Sequence, residues 1–184
     1  MVSFGPHRLL VVMISIRSIL FLALSCCGRL AAQDTLAIVF GSVTDHDPRA
    51  LLTGITIACH DKQDSTFVVE PVIREGGFYE LQLMEERTYS IVFSAKGHVP
   101  KRVLIELKGP TREQWEKGFG INADISLFKT LPGVDADFGG EPFGICRFDP
   151  STVQFEWDRT YSQGMRERHA AALKAYEAKP GKRK

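Results

Sequence analysis

Apolar and polar side chains alternate along the chain from position 36 to position 107. In one segment Tyr79, Leu81 and Leu83 occupy every second position, with the polar residues Glu80 and Gln82 between them. Because successive side chains of a strand point to opposite faces, this pattern predicts strands with one buried face. The predicted strands are Leu36–Val43, Thr53–His60, Thr66–Ile73, Phe78–Leu83, Tyr89–Ala95 and Arg102–Leu107.

Turn-forming residues separate these segments about every ten positions, with no helical periodicity between them. That arrangement is typical of two antiparallel sheets packed face to face and argues against parallel βαβ units. Pro71 predicts an edge strand or a bulge in the third segment, because proline has no N–H for a strand ladder. The sequence therefore predicts a mainly β fold, an antiparallel β-sandwich.

Residues 109–184 are predicted to form a C-terminal extension of this sandwich. Alternation in Ile121–Phe128 predicts a seventh strand that completes the sandwich. The other predicted elements are a small hairpin of Phe143–Phe148 with Val153–Trp157, and a helix capped by Asp158 or Thr160 that ends near Ala178.

The first residues, 1–32, have the pattern of a signal peptide. Arg17 supplies the positive charge, Ile19–Cys27 forms a short apolar core, and small residues precede Gln33 at the expected cleavage site. The core reaches about half the thickness of a membrane, so no transmembrane span is expected after cleavage. We expect an exported protein that is periplasmic, outer-membrane-associated or secreted.

Two alternatives stay open in this leader. Cys26 or Cys27 could be lipidated, which would anchor the protein to a membrane. Met13 could be the true start, because a leader that begins there has the more regular pattern.

Removal of residues 1–32 would change the net charge from +1 to −2, because it removes arginines and no acids. This balance provides no positive field to attract nucleic acid or anionic lipid. Basic residues gather only in the tail, Lys179 and Lys182–Lys184, where solvated charges are the ordinary case. We expect no nucleic-acid partner.

Four segments follow, in order, the motifs of a known family of modules: Ile38–Asp45, Leu51–Ile57, Gly76–Leu81 and Tyr89–His98. In these motifs the sequence resembles carboxypeptidase regulatory-like domains, with His98 where that family commonly has Tyr. The resemblance implies a seven-stranded antiparallel Greek-key sandwich of the prealbumin, or transthyretin-like, type over residues 33–108. It also implies a non-catalytic module of the kind that accompanies peptidases, outer-membrane receptors and surface proteins.

Cys59 and Cys146 are the cysteines that remain after the leader. In an oxidising compartment they could form a disulfide. They could equally be two separately buried thiols that pack as small apolar side chains. Both interpretations stay open.

Three acidic or histidine-containing turns could supply metal ligands: His46 with Asp45 and Asp47, His60 with Asp61 and Asp64, and Asp135 with Asp137 and Glu141. None of them has the HExxH, Cys/His or EF-hand spacing of a known metal site. Such residues are also common in turns because they bond the local backbone. No metal or other cofactor is expected.

Aromatic residues are concentrated in the last 70 positions or so. They predict either a second small core that joins the extension to the sandwich or a partly exposed surface for a protein or glycan partner. The candidate partner surface consists of Trp115, Phe119, Phe143, Phe155, Trp157 and Tyr161.

The sequence contains no Gly-x-Ser-x-Gly turn and no phosphate-binding glycine loop. We therefore expect a non-catalytic exported binding or structural module of the bacterial cell envelope that contacts a protein or a glycan. One alternative is an accessory or small metal-dependent hydrolase that acts on envelope peptides or glycans. Another is a transthyretin-like carrier that binds a small molecule between subunits.

Overall fold

The computed structural model describes residues 36–134 and 138–178. These residues contain eleven short strands and two α-helices. The strands are β1 (Leu36–Asp45), β2 (Thr56–Asp61), β3 (Val68–Val69), β4 (Val72–Ile73), β5 (Phe78–Met84), β6 (Thr88–Ser94), β7 (Lys101–Glu106), β8 (Phe119–Asn122), β9 (Ile125–Leu127), β10 (Gly144–Asp149) and β11 (Gln154–Trp157). The helices are α1 (Arg112–Trp115) and α2 (Arg159–Glu177).

The strands form two sheets, which confirms the predicted β-sandwich. The first sheet has the order β4-β5-β1-β8, with β9 also paired to β1 beyond β8. The second sheet has the order β11-β10-β7-β6-β2-β3. Most neighbouring strands are antiparallel, but β8 and β9 run parallel to β1, and β10 runs parallel to β7.

The core lies where the predicted alternation placed it. Tyr79, Leu81 and Leu83 on β5 are buried, whereas Phe78 on the same strand is half exposed. The buried faces of β6 and β7 contribute Tyr89, Ile91, Phe93, Val103 and Ile105. Burial of a side chain of this size contributes about 1.5–3 kcal/mol to the free energy of unfolding.

The predicted single strand Thr66–Ile73 is wrong, because this segment contains two strands that belong to different sheets. β3 pairs with β2 in the second sheet, and β4 pairs with β5 in the first. Glu70 and Pro71 lie between them. Proline cannot donate to a ladder, so the strand ends here and the chain crosses to the other sheet.

The predicted seventh strand is also divided, into β8 and β9, at Ala123 and Asp124, which lie beside Gly41 and Ser42 of β1. A Cβ atom at Gly41 would lie only 2.4 Å from the carbonyl oxygen of Ala123, so this close approach of two backbones requires glycine. Asp124 Oδ1 then accepts hydrogen bonds from both the N–H and the hydroxyl of Ser42, each at 2.9 Å.

The C-terminal elements match the predicted hairpin and helix. β10 and β11 pair antiparallel, and Asp158 Oδ1 caps α2 by accepting from the N–H of Tyr161 at 2.9 Å. β10 also pairs with β7, so the hairpin extends the second sheet. Residues on both sides of position 108 thus build the same two sheets. The short helix α1 lies between β7 and β8, and a capping box between Thr111 and Gln114 begins it.

The predicted signal peptide, the alternative lipid anchor and the alternative start all lie outside the described residues, as does the basic tail. Neither described helix combines the length and the apolar character that a membrane crossing requires.

Candidate functional site

A cleft of about 680 Å³ opens between one face of α2 and residues of the sandwich. The sandwich side of the cleft comes from β7, the β8–β9 edge, β10, β11 and the turn after β1. This volume is typical of clefts that enclose a small organic ligand.

Two aromatic rings flank a partly buried ammonium group in this cleft. Lys101 Nζ lies 4.6 Å from the ring centre of Phe128 and 4.4 Å from that of Phe143. It also donates a hydrogen bond to the carbonyl oxygen of Ser126. Burial lowers the pKa of Lys101 to about 8. A cation held over two rings keeps a large part of its charge at neutral pH, because the ring faces carry negative potential.

Two histidines pack against the same ring of Phe128. The His169 ring stacks on it with a 3.5 Å separation between ring centres and an angle of 25° between the planes, and the His46 ring lies 4.2 Å away. Burial, followed by the charges of Lys101 and His46, lowers the pKa of His169 to about 4. His169 is therefore neutral at pH 7, so Lys101 carries the positive charge in the interior of the cleft.

Trp157 closes the cleft where β11 meets the first sheet. Its indole Nε1 donates a hydrogen bond to the carbonyl oxygen of Asn122 at 2.8 Å. A Cβ atom at Gly144 would lie 3.2 Å from Cε3 of this indole, tighter than ordinary contact. The glycine therefore makes the space in which the tryptophan ring lies.

Helix α2 turns one face toward the cleft. Its lining residues Arg159, Ser162, Arg166, His169 and Leu173 recur three or four positions apart, which places them on one side of a helix. The side chains of Arg159 and Arg166 are exposed at the mouth, and Arg49 approaches from the turn after β1.

The arginines of the cleft differ from most other arginines in their partners. Outside the cleft, five arginines form ion pairs with carboxylates: Arg74, Arg87, Arg112, Arg147 and Arg168. Across residues 36–134 and 138–178, neither Arg49, Arg159 nor Arg166 has a carboxylate partner. Asp124 is the sole acidic residue among the described lining residues, and its Oδ1 is already hydrogen-bonded to Ser42. The cleft is therefore strongly positive.

Half of the predicted partner surface lies instead in the core. Trp115, Phe119 and Phe155 are buried, and with Phe148 they form an inner aromatic cluster whose ring centres are 5.0–6.1 Å apart. The first two rings meet edge to face, an arrangement that stabilises beyond simple burial. For these three residues the prediction of an exposed surface is wrong, because the extension needs its own core where it packs on the sandwich.

The other predicted surface residues are half-buried around the cleft. Phe143 and Trp157 line it directly. Tyr161 lies behind it on α2, and its hydroxyl donates to the carbonyl oxygen of Pro142 at 2.8 Å. Of the six predicted residues, the structure thus brings two together in one concave surface.

The two cysteines are free, buried thiols. Cys59 lies on β2 and Cys146 on β10, and β6 and β7 lie between these strands in the second sheet. Three strand spacings correspond to about 14 Å, twice the reach of a disulfide. The disulfide interpretation is therefore wrong, and the interpretation as separate apolar side chains holds. Burial raises the pKa of each thiol to about 12, which makes both unreactive.

The first candidate metal turn is occupied by internal partners. Asp45 is buried and accepts from His98 Nε2 at 3.1 Å and from the N–H of Asp47 at 3.0 Å. These hydrogen bonds, with Lys129 nearby, hold the pKa of Asp45 below its usual range. His46 points instead to the ring of Phe128, so this turn does not gather its ligands.

In the second candidate turn, the three candidate ligands also have separate surroundings. Asp61 is buried against the guanidinium of Arg87, while Asp64 bonds the N–H and the hydroxyl of Thr66, and His60 is exposed. The third candidate depends on Asp135 and Asp137, which lie outside the described residues. Throughout the described part of the chain, no three His, Cys, Asp or Glu side chains are grouped as metal ligands.

Sequence reasoning missed most of the cleft, including Lys101, Phe128 and the two arginines of α2. Lys101 follows a turn in the sequence and looks like an ordinary exposed charge. The spacing of Arg159, Ser162, Arg166 and His169 was the available signal. It places these four residues on one face of a helix, and two of them are arginines.

No family model matches the sequence, and no curated protein matches it either. Three solved structures are similar over part of the chain. The TIE protein of Bacillus anthracis is 17% identical with a TM-score of 0.39, and the match covers 52% of this chain and 18% of that one. The pilus 2b backbone protein of group B streptococcus is 14% identical with a TM-score of 0.35, covering 52% and 42%. Catechol 1,2-dioxygenase from Acinetobacter sp. ADP1 is 10% identical with a TM-score of 0.38, covering 59% and 57%. The matches thus span less than two thirds of each of these proteins.

Proposed function

We propose that this protein is a non-catalytic binding module, exported to the bacterial cell envelope, and that the cleft is its ligand site. The observation that carries the proposal is Lys101, a partly buried ammonium group between Phe128 and Phe143. Burial of a charge without a carboxylate partner opposes folding. A residue that destabilises the fold at the centre of an open cleft is best explained by what the cleft binds.

The sandwich itself belongs, in this proposal, to the carboxypeptidase regulatory-like family. Local backbone geometry supports that assignment. Gly76 and Gly77, which carry one motif of the resemblance, both adopt positive φ angles. A Cβ atom at Gly77 would lie 2.5 Å from the carbonyl oxygen of Leu52, so the turn before β5 requires glycine. Such residues specify the fold and supply no chemistry of their own.

Among residues 36–134 and 138–178, one histidine–carboxylate pair has good geometry, and it gives little support to a catalytic role. His98 contacts Asp45 through Nε2, and its Nδ1 lies 3.1 Å from the carbonyl oxygen of Lys96. Both ring nitrogens are thus engaged by oxygen atoms of the fold. Neither nitrogen remains to take a proton from a nucleophile, which a hydrolase would need. The pair serves to tie the loop before β7 to the end of β1.

The carrier alternative is compatible with the size of the cleft. A volume of about 680 Å³ suits a small molecule or one residue of a glycan or peptide. The cleft is formed within a single chain, so carriage of a small molecule would not require a second subunit.

The binding role can be tested with N-phenyl-1-naphthylamine, a neutral dye whose fluorescence rises in apolar surroundings. Ala170 and its neighbour Ala171 are both exposed on α2. Ala170 lines the cleft, and Ala171 does not. Ala170→Trp should fill the cleft and reduce dye binding at least fivefold, while Ala171→Trp should leave it unchanged. Equal dye binding by both variants would place the dye elsewhere and refute the cleft as the ligand site.

Export is tested separately. Expression of the whole precursor in a bacterial host should release a product that begins at Gln33, as read by N-terminal sequencing. A product found in the cytoplasm with residues 1–32 intact would contradict the envelope location. A lipid-modified N-terminus at Cys26 or Cys27 would keep the envelope location and select the anchored form.

A further inference from the structure

The mouth of the cleft carries positive charge that the protein does not neutralise. Arg49, Arg159 and Arg166 approach it from two elements, and within the described ranges none of them pairs with a carboxylate. Guanidinium groups without internal partners are ready to bind a planar anion, because each offers paired N–H donors that match a carboxylate or a phosphate.

The interior of the cleft has a different chemistry, dominated by flat rings. Phe128, Phe143 and Trp157 line the space, and each is partly exposed. Aromatic rings favour other flat rings, which stack on them or meet them edge to face. The ammonium group of Lys101 lies between these rings and the carbonyl oxygen of Ser126, within reach of a group that enters.

From this arrangement we infer that the cleft binds an organic anion in which a carboxylate or a phosphate is attached to a flat ring. The ring lies against Phe143 and Trp157, and the anionic group faces the arginines. This inference rests on the proposed function and names the class of ligand for the same site.

The size of the cleft and the charge of the whole chain restrict the ligand further. A polymeric anion such as nucleic acid would need an extended positive surface, whereas the chain without residues 1–32 has a net charge of −2. The positive charge is local to a space of about 680 Å³. A small anion, or the acidic end group of a larger one, meets both conditions.

Isothermal titration calorimetry of the purified protein with three matched probes tests the inference. The probes are 1-naphthoate, 1-naphthyl phosphate and the neutral 1-naphthamide. We expect at least one of the two anions to bind roughly tenfold more tightly than the amide, since charge-assisted hydrogen bonds are the stronger ones. The tighter of the two anions identifies carboxylate or phosphate as the preferred group.

A charge-matched pair of variants locates the effect. Arg166→Gln should weaken binding of the preferred anion roughly tenfold and leave binding of 1-naphthamide unchanged. Lys174→Gln removes the same charge from the same helix but outside the cleft, and should weaken anion binding less than twofold.

The failures of the two proposals are distinguishable. If 1-naphthamide binds as tightly as both anions, or if both variants behave alike, the anion inference is overturned while the cleft stays a ligand site. If none of the three probes binds and the neutral dye binds equally to Ala170→Trp and Ala171→Trp, the binding function is overturned as well.

Discussion

The inner aromatic cluster and the rings at the cleft contain similar side chains but differ in what surrounds them. In the inner aromatic cluster, Trp115, Phe119 and Phe155 contact one another and exclude water. At the cleft, Phe128 and Phe143 contact an ammonium group and a histidine, and part of their surface stays open. The first arrangement maximises burial. The second leaves ring surface open to the cleft and holds a poorly solvated charge, as the proposed binding role would require.

The difference teaches that aromatic content by itself does not identify a binding surface. Rings in the inner aromatic cluster have other rings as neighbours, whereas rings at the cleft have Lys101, His46 and His169. The residues that contact an aromatic ring therefore distinguish a ring of the core from a ring of a candidate binding site.

The largest expected effect is on stability, from the inner aromatic cluster. Phe155→Ala should lower the free energy of unfolding by about 3–5 kcal/mol, because it leaves a cavity among fixed rings. Phe143→Ala should lower it by about 1 kcal/mol, because its ring is already half open to water. Urea denaturation of both variants measures the contrast. Equal losses would mean that the cleft ring is a core residue.

Next in size is a pH effect from Lys101. Its pKa is about 8 in the folded protein and 10.5 ordinarily, so the folded state disfavours the charged form. Below pH 8 this destabilisation is fully present. As the pH rises from about 8 toward 10.5, the folded protein loses the proton first and the destabilisation is relieved.

Lys101→Met supplies the reference, since it keeps the apolar stem without the charge. From pH 7 to pH 10, the unfolding free energy of the native protein should rise relative to this variant by an amount on the order of 2 kcal/mol. Thermal or urea unfolding at several pH values gives the difference. A difference that does not vary with pH would show that the ammonium group is well solvated.

A smaller effect is expected from Gly144→Ala, which adds one methyl group beside Trp157. The added atom would lie 3.2–3.3 Å from the indole ring, so the ring must shift or the strands must separate. Overpacking of this kind lowers the unfolding free energy by about 1–2 kcal/mol. Gly164→Ala on α2 is the control for a methyl group added without a clash, since a Cβ atom there meets nothing within 4 Å; it should raise the unfolding free energy by up to about 1 kcal/mol, because alanine favours a helix. A Gly144→Ala variant as stable as this control would mean that Trp157 moves freely.

The smallest effect is expected from Trp115→Phe in the inner aromatic cluster. The indole Nε1 of Trp115 is buried without a hydrogen-bond partner in the described part of the chain, so its loss removes no bond. The smaller ring leaves a limited void, and the net change should stay within about 1 kcal/mol. Urea denaturation again provides the value. A larger loss would indicate that Nε1 has a bound partner, such as water.

The fold could be predicted from local pattern to a large extent. Alternation in β5, β6 and β7 specified both the strands and their buried faces, since a period of two depends only on the residues within each strand. The parallel pairing of β1 with β8 depends on contacts about 80 residues apart. Periodicity holds no information about such pairings, so neither this pairing nor the change of sheet at Pro71 was predicted.

The site was harder to predict than the fold for a similar reason. Lys101, Phe128 and His169 come from three separate elements, and each has an ordinary local explanation. Only the packing of α2 against the sandwich places them in one cleft. The sequence indicated the aromatic content of this region, but it could not separate Phe143 from Phe155, because both follow short polar turns.

The central claim is that ligands enter the cleft and not the inner aromatic cluster. The chain has two tryptophans, and one lies in each region. Heteronuclear NMR spectra of the isotope-labelled protein, titrated with 1-naphthoate, follow both indole N–H signals in one experiment. We predict that the Trp157 signal shifts progressively while the Trp115 signal stays in place. A Trp157 signal that does not move at saturating probe, or a shift of Trp115 alone, would contradict the account.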